Sequence, residues 1–95
     1  MEKELRDRWV AALRSGEYKQ GKSALRRDGK YCCLGVLREI IHPGCHASKW
    51  NKGQYLSTVA LRSVRFGERI QITLGEMNDH GSTFSEIADY IEANL

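Results

Sequence analysis

Three features of this chain predict a small α+β domain, mostly helical with a minor β-ribbon. Apolar residues recur at helical spacing in several stretches, Asp28-Gly29 has the chemistry of a hairpin turn, and two Thr-x-x-Glu signatures stand near the end. At 95 residues the chain is too short for two ordinary domains, so residues 1–95 are read as one domain around one modest core.

The first helix is expected over Glu2–Ser15, where Leu5, Trp9, Val10, Ala12 and Leu13 fall on one side. Trp9 is its large core anchor and Gly16 its stop. Glu17–Gly29 is polar and rich in Lys, Arg and Gly. The turn at Asp28-Gly29 predicts a short ribbon pairing Ala24–Arg27 with Lys30–Cys32. Cys33–Ile41 returns to helical spacing and stops before Pro43, which pushes its predecessor out of helical geometry. Gly35 inside that helix costs about 1 kcal/mol against alanine, which predicts another segment packed close to it. His42–Tyr55 reads as an irregular loop and Ser57–Phe66 as a short helix closed by Gly67. Thr73-Leu74-Gly75-Glu76 and Thr83-Phe84-Ser85-Glu86 each read as a capping box opening a short helix, with Gly81 as a left-handed stop between them. Four or five short helices follow from this pattern.

Composition is that of a globular protein, with 41% hydrophobic and 28% charged residues. No run of about 18 apolar residues is present, so no membrane-spanning helix is expected. The charged start, Met1-Glu2-Lys3-Glu4, does not read as a secretory leader. Three cysteines, two of them vicinal, do not make a disulfide scaffold, and a reducing cytoplasm is the expected setting. Charge is graded along the chain. Residues 1–30 hold nine Lys/Arg against five acids, residues 31–66 five against one, and residues 67–95 one against six. A basic front and an acidic tail suit either an anionic partner or opposed charges that face each other.

The ingredients of catalysis are sparse. Paired carboxylates for glycoside chemistry, a Gly-rich phosphate loop and a serine elbow are absent, so an enzyme is not expected. His42, Cys45 and His46 with Cys32 or Cys33 are ligand types that zinc takes, but His-x2-Cys-His matches no closed motif, and neither metal nor cofactor is expected. Cys32 or Cys33 with Asp79 and His80 forms a thiol, carboxylate and base on paper, while a cysteine beside an apolar helical run reads as a small buried hydrophobe. Two groups carry the binding chemistry. Arg26, Arg27 and Lys30 surround the turn with Tyr31 and Trp50 as aromatic company, which suits either a phosphate-and-base site or a solvated basic hairpin. Asn78 and Asp79, at a helix end, suit either side-chain bonds that tie down the Gly81–Thr83 corner or the reading of a ligand's polar edges.

Three blocks in order carry a resemblance: Arg8-Trp9-Val10-Ala11-Ala12-Leu13-Arg14-Ser15-Gly16-Glu17-Tyr18-Lys19-Gln20; Tyr31-Cys32-Cys33-Leu34-Gly35-Val36-Leu37; and Leu74-Gly75-Glu76-Met77-Asn78-Asp79-His80-Gly81 running into Phe84-Ser85-Glu86-Ile87-Ala88-Asp89-Tyr90-Ile91-Glu92. The chain resembles a group of small proteins of unassigned function encoded in bacteriophage and prophage genomes. Members of that group often carry a further cysteine where this chain has Arg38, and a Leu-Pro where it has Leu56-Ser57. The resemblance implies a phage accessory protein that binds and disables something in its host: a defence protein, an enzyme or a nucleotide signal. The expected function is therefore non-catalytic binding. The sharper version is capture of a phosphorylated small molecule, with Arg26, Arg27 and Lys30 on phosphate, Tyr31 or Trp50 stacking, and Asn78 with Asp79 on polar edges. Rival expectations are a nucleic-acid-binding accessory protein, and a protein inhibitor or homo-oligomer anchored by Trp50, Tyr55 and Tyr90.

Overall fold

The computed structural model describes residues 1–22, 24–41 and 67–95. The expected loop at His42–Tyr55, the helix at Ser57–Phe66, the His42, Cys45 and His46 group, Trp50 and Tyr55 lie outside the described residues. The elements are α1 (Lys3–Arg14), β1 (Lys19–Gln20), β2 (Arg26–Arg27), β3 (Lys30–Tyr31), α2 (Cys33–Ile41), α3 (Glu68–Asp79) and α4 (Phe84–Asn94). The class is α+β, mostly helical with a small sheet, as the sequence predicts. Among the described residues no helix is long and apolar enough to cross a membrane.

α1 forms on the expected stripe. Trp9, Val10 and Leu13 are buried, and Leu5 and Ala12 pack against them from its edge. The Trp9 indole N–H donates to the Cys33 carbonyl at 2.9 Å, so the one polar atom of this fully buried ring is satisfied. α1 packs against α4 and α2, and α2 also meets α3. Arg14, in the last turn of α1, pairs with Asp89 and Glu92 of α4. Those two carboxylates, by hydrogen bonding first and charge second, raise its pKa above the usual arginine value. Here the basic front of the chain meets its acidic tail.

α2 spans the predicted residues, and its first five residues, Cys33 to Leu37, are buried all round. The close neighbour predicted at Gly35 is Leu25: a β-carbon on Gly35 would come within 1.8 Å of the Leu25 carbonyl oxygen. No side chain of any size fits there without moving backbone.

α3 departs from expectation. Thr73 does not open a helix; it lies inside α3, which begins after Gly67, and its hydroxyl donates back to the Arg69 carbonyl at 3.0 Å. A threonine inside a helix makes this bond to the preceding turn, so Thr73-Leu74-Gly75-Glu76 carries a capping-box signature without the cap. The second signature holds in full. The Glu86 N–H donates to the Thr83 hydroxyl at 3.1 Å, and the Thr83 N–H donates to the Glu86 carboxylate at 3.0 Å. Between the helices Gly81 takes φ +104° and the Ser82 N–H donates to the Met77 carbonyl at 3.0 Å, the reach-back of a Schellman stop. α4 then buries Phe84, Ile87, Ala88 and Ile91 along one stripe.

Candidate functional site

The ribbon forms around the predicted turn. Asp28 and Gly29 have φ of 52° and 77°, the paired positive values of the mirror-image turn that joins twisted antiparallel strands in two residues. The sequence reading missed a third strand. β1 pairs parallel to β3, giving the order β1-β3-β2 with Lys19 and Arg27 both opposite Lys30, and Gln20 and Arg26 both opposite Tyr31. The Gly21 N–H extends the β1 edge by donating to the Tyr31 carbonyl at 2.8 Å. A parallel two-residue pairing has no local pattern to announce it.

Strand side chains alternate between faces, so this register sorts the ribbon into two rows. Gln20, Tyr31 and Arg26 share one face and are half-buried, while Lys19, Lys30 and Arg27 share the other and are exposed. The inner row faces the body of the protein. The Gln20 amide N–H donates to Asn78 Oδ1 at 3.0 Å and to the Ser82 carbonyl at 2.7 Å. The Arg26 guanidinium lies over the Tyr31 ring at 5.3 Å from its centroid, and Tyr18 meets Tyr31 edge to face at 5.1 Å.

The outer row is a line of three cations, each directly opposite the next. Among the described residues no carboxylate stands within ion-pair distance of Lys19, Lys22, Arg27 or Lys30. Gly21, Lys22, Ala24, Arg27, Asp28 and Lys30 line a concavity of 170 Å³ beside this row. Pockets for whole drug-sized ligands start at roughly 300 Å³, so the concavity suits a phosphoryl group with the rest of its ligand outside.

The predicted ligand residues therefore do not converge on one site. Arg27 and Lys30 share the outer face, joined by Lys19 and Lys22, which the sequence reading did not single out. Arg26 and Tyr31 hold each other on the inner face. Trp50 lies outside the described residues. Asn78 is fully buried, and its amide is used up within the fold: Oδ1 accepts from the Cys33 N–H at 3.2 Å and from Gln20, while Nδ2 donates to the Gly21 carbonyl at 2.7 Å and to Asp79 Oδ1 at 3.3 Å. An amide offers two donor and two acceptor positions, so none remains for a ligand. Of the two readings of Asn78 the structural one stands, although its partners are β1 and α2 rather than the corner after Gly81. Asp79, half-buried beside it, leans on the same hub.

The N-terminus of α2 is closed as well. Asn78 takes the Cys33 N–H, and the Cys32 sulfur accepts from the Gly35 N–H at 3.4 Å. Cys32 and Cys33 are free thiols, both buried. Burial pushes the Cys32 thiol up to about 11 and the Cys33 thiol well above its ordinary value, with the charge of Asp79 adding to each. Neither is a thiolate near neutral pH, which removes the nucleophile from the thiol, base and carboxylate arrangement.

Comparison with curated proteins and with solved structures gives no match. Residues 1–62, more than half of the chain, match the family described as a domain of unknown function, DUF8296, and the chain belongs to that family.

Proposed function

We propose that this protein is a non-catalytic binding module that captures a phosphorylated ligand on the outer face of its ribbon. Arg27, Lys30, Lys19 and Lys22 hold the anion there. The observation that carries this reading is the row Lys19–Lys30–Arg27, exposed, aligned by strand register and without a carboxylate partner among the described residues. Like charges placed directly opposite each other on a sheet destabilise it, so an uncompensated row is a cost to folding that ligand binding offsets. In the accessory role that the resemblance to phage-encoded proteins implies, capture withholds a phosphorylated host signal in the bacterial cytoplasm from the host protein that reads it.

The test is a double variant, Arg27→Ala with Lys30→Ala, titrated with inorganic pyrophosphate by calorimetry. Affinity drops about tenfold or more as two charge-assisted contacts are lost. The melting temperature holds or rises, because the two side chains are exposed and repel each other. Unchanged pyrophosphate affinity in this variant would show the anion site to be elsewhere.

A further inference from the structure

We infer that the outer face of the ribbon is built for a chain of linked phosphates, the class of pyrophosphate, tripolyphosphate and nucleoside polyphosphates. The inference rests on the anion-binding reading above and narrows it. Strand register sets Lys19, Lys30 and Arg27 side by side across three strands. Neighbouring strands lie about 4.8 Å apart, so the row spans about 10 Å at the backbone. One phosphate bridges two neighbouring side chains and leaves the third cation without a counter-charge. A phosphate chain laid across the strands meets all three.

Charge balance points the same way. Lys22 lines the concavity with Arg27 and Lys30, Lys19 stands beside Lys30 in the row, and Asp28 is the one carboxylate among the concavity's lining residues. Four cations against one carboxylate match a ligand with about three negative charges. A phosphate monoester carries roughly 1.5 to 2 near neutral pH, and a di- or triphosphate supplies the remainder. Among the described residues, nothing on this face selects a base. Tyr31 points to the inner face under Arg26, and the aligned outer row holds no aromatic ring. The phosphate chain is read and the group attached to it is left outside the concavity.

The experiment is calorimetric titration in low-salt, metal-free buffer with inorganic phosphate, pyrophosphate, tripolyphosphate, ATP, GTP and a short single-stranded oligothymidine. Affinity rises about tenfold or more from phosphate to tripolyphosphate as further charge-assisted contacts form. ATP and GTP bind alike, within about threefold, because the base adds no contact. Lys19→Ala, at an exposed position, weakens tripolyphosphate by about fivefold and leaves phosphate within about twofold, since phosphate sits between Arg27 and Lys30. Equal affinity for phosphate and tripolyphosphate, or a Lys19→Ala variant that binds tripolyphosphate as the parent does, overturns the inference while leaving anion binding in place. Oligothymidine binding tighter than tripolyphosphate also overturns it and assigns the face to a polynucleotide backbone. If none of the probes binds, the anion-binding reading fails with it.

Discussion

Asn78 does at one position what a short stretch of secondary structure does elsewhere. Its amide closes the N-terminus of α2, holds the carbonyl after β1 and fixes Gln20, which in turn reaches the carbonyl of Ser82. Replacing it by alanine leaves the Cys33 N–H and the Gly21 carbonyl without this partner in a site where Asn78 is fully buried. Each buried group left unsatisfied costs about 1–3 kcal/mol, so Asn78→Ala is expected to lose about 3 kcal/mol or more. For a chain of this size that lowers the melting temperature by more than about 10 °C, which a thermal melt by circular dichroism measures. A loss below about 1 kcal/mol would mean that water replaces the amide and that the hub is not structural. The sequence shows Asn78 only as a polar residue near a helix end. Its partners Gln20, Gly21 and Cys33 stand 58, 57 and 45 positions away, so no local pattern encodes them. Trp9 and Gly35 were legible for the opposite reason: a large apolar ring on a helical stripe, and a glycine where helix propensity argues against one, each announce close packing by their own chemistry.

Elements were legible wherever local rules decide them. The α2 boundaries follow from apolar spacing and Pro43, and the hairpin follows from Asp28-Gly29. β1 was not legible, because two residues pairing in parallel carry no periodicity and owe their position to Gly21 and to the Gln20–Asn78 bond. The consequence for the site is direct. Alternation on a known register separates Arg26 from Arg27, neighbours in sequence that end on opposite faces, and it brings Lys19 beside Lys30. The paired Thr-x-x-Glu signatures make the same point about helices. Thr83 is a cap with both reciprocal bonds, and Thr73 is interior. Thr83→Ala is expected to cost about 1 kcal/mol, the usual effect of losing an N-cap. Thr73→Ala is expected to be neutral or slightly stabilising, because alanine is the better helix former and the bond to Arg69 is one of many in the turn. Urea denaturation of the two variants side by side separates these outcomes. An equal loss in both would mean that α3 begins at Thr73 in solution.

At the scale of the whole molecule the core is shared between distant parts of the chain. Trp9, Leu34 and Leu37 come from the front, while Leu74, Ile87, Ala88 and Ile91 come from the last third, and all are fully buried. α1 lays its buried stripe on α4, Arg14 ties the same two helices together, and Asn78 plugs the end of α2 from α3. The family match covers residues 1–62, a stretch that contains α1, the ribbon and α2 but none of these later contributions. A domain of about 60 residues buries only about 60% of the surface its unfolded chain exposes and is marginal even with its core complete. Without α3 and α4 the stripe of Trp9, Val10 and Leu13 faces water, and the first turn of α2 loses its cap. A fragment of residues 1–62 carrying Trp50→Phe is therefore expected to show no cooperative thermal transition, and the fluorescence of Trp9, then its one tryptophan, should be that of a solvated indole. The full chain should unfold in one step. A cooperative melt of the fragment with a shielded Trp9 would instead make α3 and α4 an addition to a self-sufficient front, and the cation row would then survive in the fragment with its phosphate affinity intact.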